Sequence, residues 1–431
     1  MYWYISFLRP PPVSVTISSE SLLVTPQVAN DLRTELRYEP TKIYYTWQRI
    51  APKSSEPETL KELTTFMPPA STYKPLAIPL SLQAQVEDSW RLGLFSCRSR
   101  SENCKDAEPE PINHLLDLVQ QPKILGVWSE GIEIIRLPGG MKNGAVRGMG
   151  KQKERPEDAG RCARAKKSKE KEKERYDVPK QGRIHRELIL PLVRQDQQPS
   201  LKIIEQTSFD LDKKVWDSGL ALSAWLHEHL SDSMTLPPLG QRILSLLTQK
   251  ERLKVIELGV GTGLVSIALS LAHPNQSTSR WDITATDLES AMPLMNENLV
   301  LNSLGIVHLD HVVDDTISSR LSVDAKVLDW DRPLPNWVAE DPPQLVIAAD
   351  VTYNTSAFPS LLSTLSSLIC PPNDSNARPL LLMAYKERDS GERELWQMLK
   401  GQGIDMVKID EVKGCEDYGF TEIWVGGTDL S

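Results

Sequence analysis

Cysteine is scarce in this chain. Its five residues (Cys97, Cys104, Cys162, Cys370 and Cys415) are odd in number, scattered and without a C-x-x-C pair. That excludes a disulfide framework and a cysteine zinc site, and it suits a reducing compartment, so cytoplasm or nucleus is expected. The seven histidines offer no H-E-x-x-H. His227 and His229, two apart, point to different sides of a helix, so no metal is expected. Basic residues are not in excess either: 49 Lys and Arg stand against 58 Asp and Glu, a formal charge of -9. This argues against nucleic-acid affinity of the protein as a whole. No apolar run approaches the ~20 residues of a membrane-spanning helix. The start, MYWYISFLRPPP, lacks the basic region and the apolar length of a signal peptide.

What is present falls into three textures. Residues 1–139 are dotted with proline, with short apolar runs such as SVTISSESLLV and GIEIIRLP and stretches without period such as RSRSENCKDAEPEPI. They read as a partly ordered extension. Residues 140–182 are rich in glycine and then lysine, RCARAKKSKEKEKERYDVPK, too poor in apolar side chains to offset ordering entropy. They read as a disordered basic insertion, either a solvated linker or a segment for nuclear import or weak contact with acidic partners.

From 183 to 431 strand-like and helix-like runs alternate. RELILPLV and SLKIIEQT read as paired strands, and VWDSGLALSAWLHEHL as a helix carrying Trp216, Leu220, Leu222, Trp225 and Leu226. KVIEL, WDITATD, AKVLDW, PQLVIAAD, PLLLMAYK, DMVKIDEV and FTEIWVGG follow as strands, separated mostly by helices. This alternation predicts an α/β domain with a doubly wound, mostly parallel, Rossmann-like sheet. Because the last two strands follow one another directly, one antiparallel strand is expected at the edge.

VIELGVGTGL, at 255–264, empties a strand into Gly259, Gly261 and Gly263. A triphosphate loop needs Lys-Ser or Lys-Thr after its last glycine, and none follows. The dinucleotide fingerprint needs glycine where Leu264 stands. Glu257 ends the same strand and Asp287 ends the next. Two carboxylates about one crevice suit a positively charged cofactor that lacks pyrophosphate, such as S-adenosylmethionine.

ELGVGTG, ATDLESAMPLMNENLVLN, VLDWD and IAADVTYN, taken in order, resemble the class I seven-strand S-adenosylmethionine-dependent methyltransferases. More narrowly they are similar to methyltransferase family 16, which contains many protein-lysine methyltransferases. The resemblance covers about 200–427 and includes VWDSGLALSAWL and AYKERDSGERELW. It implies that Glu257, Gly259, Gly261 and Gly263 line the methionine end of the cofactor, and that Asp287 holds the ribose. Asp329 and Trp330 would flank adenine, and Trp216 would lie on the segment that closes over the cofactor. Asp350 and Tyr353, in D-x-x-Y, would be the catalytic pair, with Ala349 before them leaving room.

The implied activity is methyl transfer to a lysine of a protein substrate by a monomer that neither contacts a membrane nor binds nucleic acid directly, weak contact through the basic insertion apart. Three other readings stand beside it: a small-molecule methyltransferase of the nicotinamide type, a non-catalytic scaffold of the same fold, and a dehydrogenase, which Leu264 weakens. A protein acceptor needs an open groove, and a small amine a closed lid. The extension and the insertion have no counterpart in the minimal family domain, and 304–325 makes an extended connection between the ribose-binding helix and the adenine strand.

Overall fold

Residues 2–7, YWYISF, alternate in the manner of a strand, and every one of them is buried. Trp3, Ile5 and Phe7 enter one hydrophobic core, whereas Tyr2 and Tyr4 enter another. The period of two therefore sets this first strand, Trp3–Arg9, as a wall between two units. The computed structural model describes residues 2–97, 111, 113–116, 124–136, 179–191, 200–208, 210–231, 235–249, 251–273, 279–304, 321–370, 378–415 and 419–430.

The first core lies between two β-sheets. A four-stranded sheet runs in the order 76–79, 21–29, 3–9, 124–125. The other joins Ser14–Thr16, Thr41–Ala51, Lys61–Phe66, Ser89–Phe95, Val127–Ser129, Ile132–Ile135, Arg183–Ile189 and Ser200–Gln206. Trp47, Trp90, Leu92 and Ile43 from the second sheet meet Trp3, Ile5, Val24 and Ile78 from the first. The described part of the extension is thus a folded β unit, while RSRSENCKDAEPEPI falls almost wholly outside the described residues. Proline bounds or enters several of its strands, as at Pro26 and Pro40, so their alternation is hard to see one strand at a time. Of the basic insertion expected over 140–182, 140–178 lies outside the described residues, whereas 179–182 is described and Lys180 bridges Pro12.

The hairpin of Arg183–Ile189 and Ser200–Gln206 corrects the expected boundary at 183. Ile184 and His185 pair with Ser129 and Trp128, which makes the hairpin part of the amino-terminal sheet. Leu188, Leu201 and Ile203, on the face that also carries Ile184, enter the core of the following domain, which is why the sequence groups the hairpin with its downstream neighbours.

That following domain has seven strands: β1 (Arg252–Leu258), β2 (Arg280–Asp287), β3 (Leu321–Val327), β4 (Leu345–Ala349), β5 (Leu380–Tyr385), β6 (Asp405–Lys413) and β7 (Phe420–Gly427). Their order is β3-β2-β1-β4-β5-β7-β6. β1 to β5 pair in parallel, while β7 is antiparallel to both β5 and β6. The antiparallel strand is thus interior and β6 is the edge, a correction of the expected arrangement. Composition gives the reason. DMVKIDEVK exposes charged side chains along its length, as an edge does, whereas FTEIWVGG is buried almost throughout.

The described helices are α1 (Asp217–Ser231), α2 (Pro238–Gln249), α3 (Leu264–Leu271), α4 (Met292–Leu301), α5 (Asn336–Glu340), α6 (Phe358–Ile369) and α7 (Glu394–Gly401). In α1 residues 217–227 are all buried, so its apolar side chains serve every face. Of the long connection between α4 and β3, 305–320 lies outside the described residues, and β3 already starts at Leu321.

Candidate active site

Strand order reverses at β1, which lies between β2 and β4. Parallel register sets Glu257 opposite Ala285 and Ile347, so the carboxyl ends of β1, β2 and β4 finish side by side. A crevice at such a reversal is where ligands sit in open α/β sheets. Here it is a cavity of about 490 Å³, lined by Trp216, Glu257, Gly259, Gly261, Asp287, Asp329, Trp330, Ala349, Asp350 and Tyr353. Gly263 does not line it. Its φ of 88° begins α3, and its N–H donates to the Val260 carbonyl.

One end of the cavity is shaped by glycine. A side chain on Gly259 (φ 61°) would meet Val351 at 3.0 Å and the Trp330 ring at 3.4 Å. Gly261 (φ 55°) donates its N–H to Asp287 Oδ2 at 2.7 Å, and Asp287 Oδ1 accepts from Leu288 N at 2.7 Å. Burial nevertheless raises the Asp287 carboxyl above its ordinary range, against the pull of these two N–H donors. Glu257 is fully buried and accepts a hydrogen bond from the Ser266 hydroxyl. Burial pushes it up to about 8. Neither acid pairs with a basic side chain among the described residues.

The other end is tightly paired. Asp350 follows β4 with a φ of 57°, rare for a non-glycine residue. Its Oδ2 accepts from Ser218 N at 2.8 Å, at the start of α1, and its Oδ1 accepts from Ser218 Oγ at 2.7 Å. Arg388 Nη1 donates to Oδ1 at 2.5 Å. Three of the roughly four acceptor positions of an ionised carboxylate are thereby taken. Asp350 therefore anchors a helix start and an arginine, a different surrounding from the free amine-binding carboxylate that the motif alone suggests. Tyr353, 57% exposed, stands at the mouth. Burial, with Asp287 and Asp212 nearby, raises its phenol, which stays protonated. Asp329 accepts from Asp331 N at 3.0 Å and pairs with Arg332 at 3.2 Å. Trp330 is packed against the core beside Gly259.

Sequence reasoning missed Ser218, Arg388 and the amino-terminal contribution of Asp31 and Leu32. Leu32 lines the cavity, and Asp31 Oδ2 accepts from Arg388 Nη2 at 2.8 Å. Ser218 and Arg388 stood inside quoted motifs. Asp31 carried no signal, because its partner lies 357 residues away.

Residues 195–402 match the lysine methyltransferase family. The match spans just under half of the chain. The chain is 29% identical over 231 residues to the protein-lysine N-methyltransferase EFM6 of Saccharomyces cerevisiae, covering 51% of this chain and 82% of that one. It is 26% identical over 220 residues to the protein-lysine N-methyltransferase EFM2 of the same yeast, covering 49% and 46%. With the protein N-lysine methyltransferase METTL21A of Xenopus tropicalis it shares 27% over 189 residues, covering 43% and 66%. The chain thus spans most of EFM6 but under half of EFM2.

The methyltransferase domain uses S-adenosylmethionine, and the residues present fit it. The glycine bend leaves a cradle that a Cβ at 259 would fill, and beside it the buried Glu257 and the half-buried Asp287 pair with no cation among the described residues. Glu257 and the 259–261 backbone would hold the methionine end, Asp287 the ribose, and Asp329 with Trp330 the adenine.

Proposed function

We propose that the protein transfers a methyl group from S-adenosylmethionine to the side-chain nitrogen of a lysine in a protein acceptor. The observation that carries this reading is the form of the mouth. Leu32, Leu211, Leu288 and Tyr353 line the cavity and are exposed, and no side chain bonds across them among the described residues. Asp212, Asp331, Asp389 and Glu392 line it as well. Apolar side chains and acids sharing one mouth suit the methylene stem and cationic head of lysine. A small amine would call for a closed lid.

When bound, the cofactor supplies the sulfonium methyl, and in-line displacement needs alignment and exclusion of water more than a strong base. A lysine with a free pKa near ~10.4 costs about 4.6 kcal/mol to neutralise at pH 7. Its proton leaves to water at the open mouth, and the lone pair on its nitrogen forms the new bond. Asp350 offers its remaining acceptor position to an amine N–H, and Ala349 leaves space beside it. Tyr353 narrows the channel from the solvent side. A reducing compartment, cytoplasm or nucleus, and a monomeric state complete the proposal.

The test is incubation of purified protein with labelled S-adenosylmethionine and a whole-cell protein extract, followed by mass spectrometry. Label on lysine Nζ of a protein is expected. Label confined to small amines, or to residues other than lysine, would overturn the reading.

A further inference from the structure

Among the described residues the amino-terminal β unit reaches the reaction site through Asp31 and Leu32. Asp31 follows the strand Ser21–Ala29 and is 4% exposed. Its Oδ1 accepts from Leu32 N at 2.9 Å, and its Oδ2 receives Arg388 Nη2 at 2.8 Å and Lys386 Nζ at 3.5 Å. Burial would raise its carboxyl, yet Lys386 and Arg388 hold it below the usual range. Lys386 continues to Asp217 Oδ2 at 2.6 Å, and Asp217 also accepts from Tyr2 N at 3.0 Å and Tyr4 Oη at 2.7 Å. A line of buried charge therefore runs from the first strand of the chain to Asp350.

Arg388 is the link. Its guanidinium lies between Asp31 and Asp350, and over the Trp216 ring at 5.4 Å. It lines the cavity beside Asp350, where a cationic acceptor would arrive. A guanidinium free to turn there would repel the lysine and compete for the last acceptor position of Asp350. The carboxylate of Asp31 draws one of its terminal nitrogens to the far side.

Resting on the lysine reading above, we propose that Asp31 is a positioning residue for the acceptor, acting through Arg388 on Asp350, and that Leu32 is the part of the amino-terminal unit that touches the acceptor. The unit is in this sense half of the acceptor site, while Glu257, the glycine bend and Asp287 of the cofactor end come from the following domain.

The test compares wild-type protein with Asp31→Asn, Asp31→Glu and Leu32→Ala. Each receives labelled S-adenosylmethionine and serial dilutions of a whole-cell protein extract. S-adenosylhomocysteine binding is measured by calorimetry, and phenylglyoxal modification of Arg388 is followed by peptide mass spectrometry. For Asp31→Asn, the extract needed for half-maximal labelling rises about tenfold, the size of one charge-assisted hydrogen bond. Its S-adenosylhomocysteine affinity stays near that of wild type, Arg388 is modified several times faster, and Asp31→Glu restores most of the loss. Leu32→Ala, at an exposed position, raises the extract requirement less and leaves thermal stability alone. Equal losses of cofactor and acceptor affinity would reduce Asp31 to a structural role and overturn the proposal, as would an Arg388 that stays protected in Asp31→Asn. The arginine readout needs no acceptor. An extract left unlabelled by wild-type enzyme would therefore strike the lysine reading, and Arg388 alone would decide this one.

Discussion

The two ends of the cavity handle buried charge in opposite ways. At the cofactor end, Glu257 and Asp287 are held by a hydroxyl and by backbone N–H groups, and burial raises both carboxyls. At the acceptor end, Asp350, Asp31 and Asp217 are tied to Arg388 and Lys386. The first arrangement leaves charge to be matched by a ligand. The second is matched already and spends its cations on geometry. Unpaired acids mark where a positive molecule is taken in, and paired acids mark where one must be aligned.

The largest effect should come from breaking the paired end. Asp217→Ala removes a fully buried carboxylate, takes the acceptor from Tyr4 Oη, and leaves Lys386 only its longer contact with Asp31, at 3.5 Å. Removing one partner of a buried pair costs about 3–5 kcal/mol, and urea unfolding would read it as a lowered midpoint. A loss under ~1 kcal/mol would show that this end is no more tightly paired than an exposed contact.

Next comes the unpaired end. Glu257→Gln keeps the shape and the bond partner but removes the charge. S-adenosylmethionine affinity should fall by roughly 1.5–3 kcal/mol, the worth of a hydrogen bond to a charged group. Apo stability should not fall, because a neutral amide needs no desolvated charge. Calorimetry and thermal melts separate the two quantities. A matching loss of apo stability would mean that Glu257 serves the fold.

The pH dependence sharpens the same contrast. With the folded value of Glu257 pushed up to about 8, its contribution to apo stability is present in acid and is lost as pH rises through that value. A cationic cofactor favours the carboxylate, so binding below about 8 releases a proton. Affinity should climb by up to about tenfold per pH unit toward that value and then level. Glu257→Gln should abolish the slope. A slope that persists in the variant would assign it to Asp287 or to the cofactor itself.

How much of this was legible follows the range of the interactions. Glu257, Gly259 and Gly261 lie within five residues, and Asp287 closes the next strand, so periodicity and a loop brought the cofactor end onto the page. The parallel sheet followed from the same alternation. The acceptor end joins Asp31, Ser218, Asp350 and Arg388 from four separate segments. No spacing rule connects them, and Asp31 looks like any polar loop residue. The place of β7 was hidden differently. Adjacency in sequence predicts a hairpin, but whether its second strand closes a gap or adds an edge depends on the position already taken by β6.

The smallest expected effect tests whether the amino-terminal unit acts on the acceptor end through the buried charges or merely by being docked. Arg183, on the hairpin of that unit, bonds Glu297 of α4 through both carboxylate oxygens at 2.8 Å. The two side chains are 37% and 44% exposed. This pair joins the same two units with the same two charges as Arg388 and Asp31, but in water. Exposed pairs contribute about 0–1 kcal/mol, because solvent screens them and two long side chains must be held still. Arg183→Met should therefore change stability by no more than about 0.5 kcal/mol, and half-maximal extract and cofactor affinity should both stay at wild-type values. If it weakened acceptor use as Asp31→Asn does, any loosening of the junction would suffice, and the buried line of charge would lose its special role.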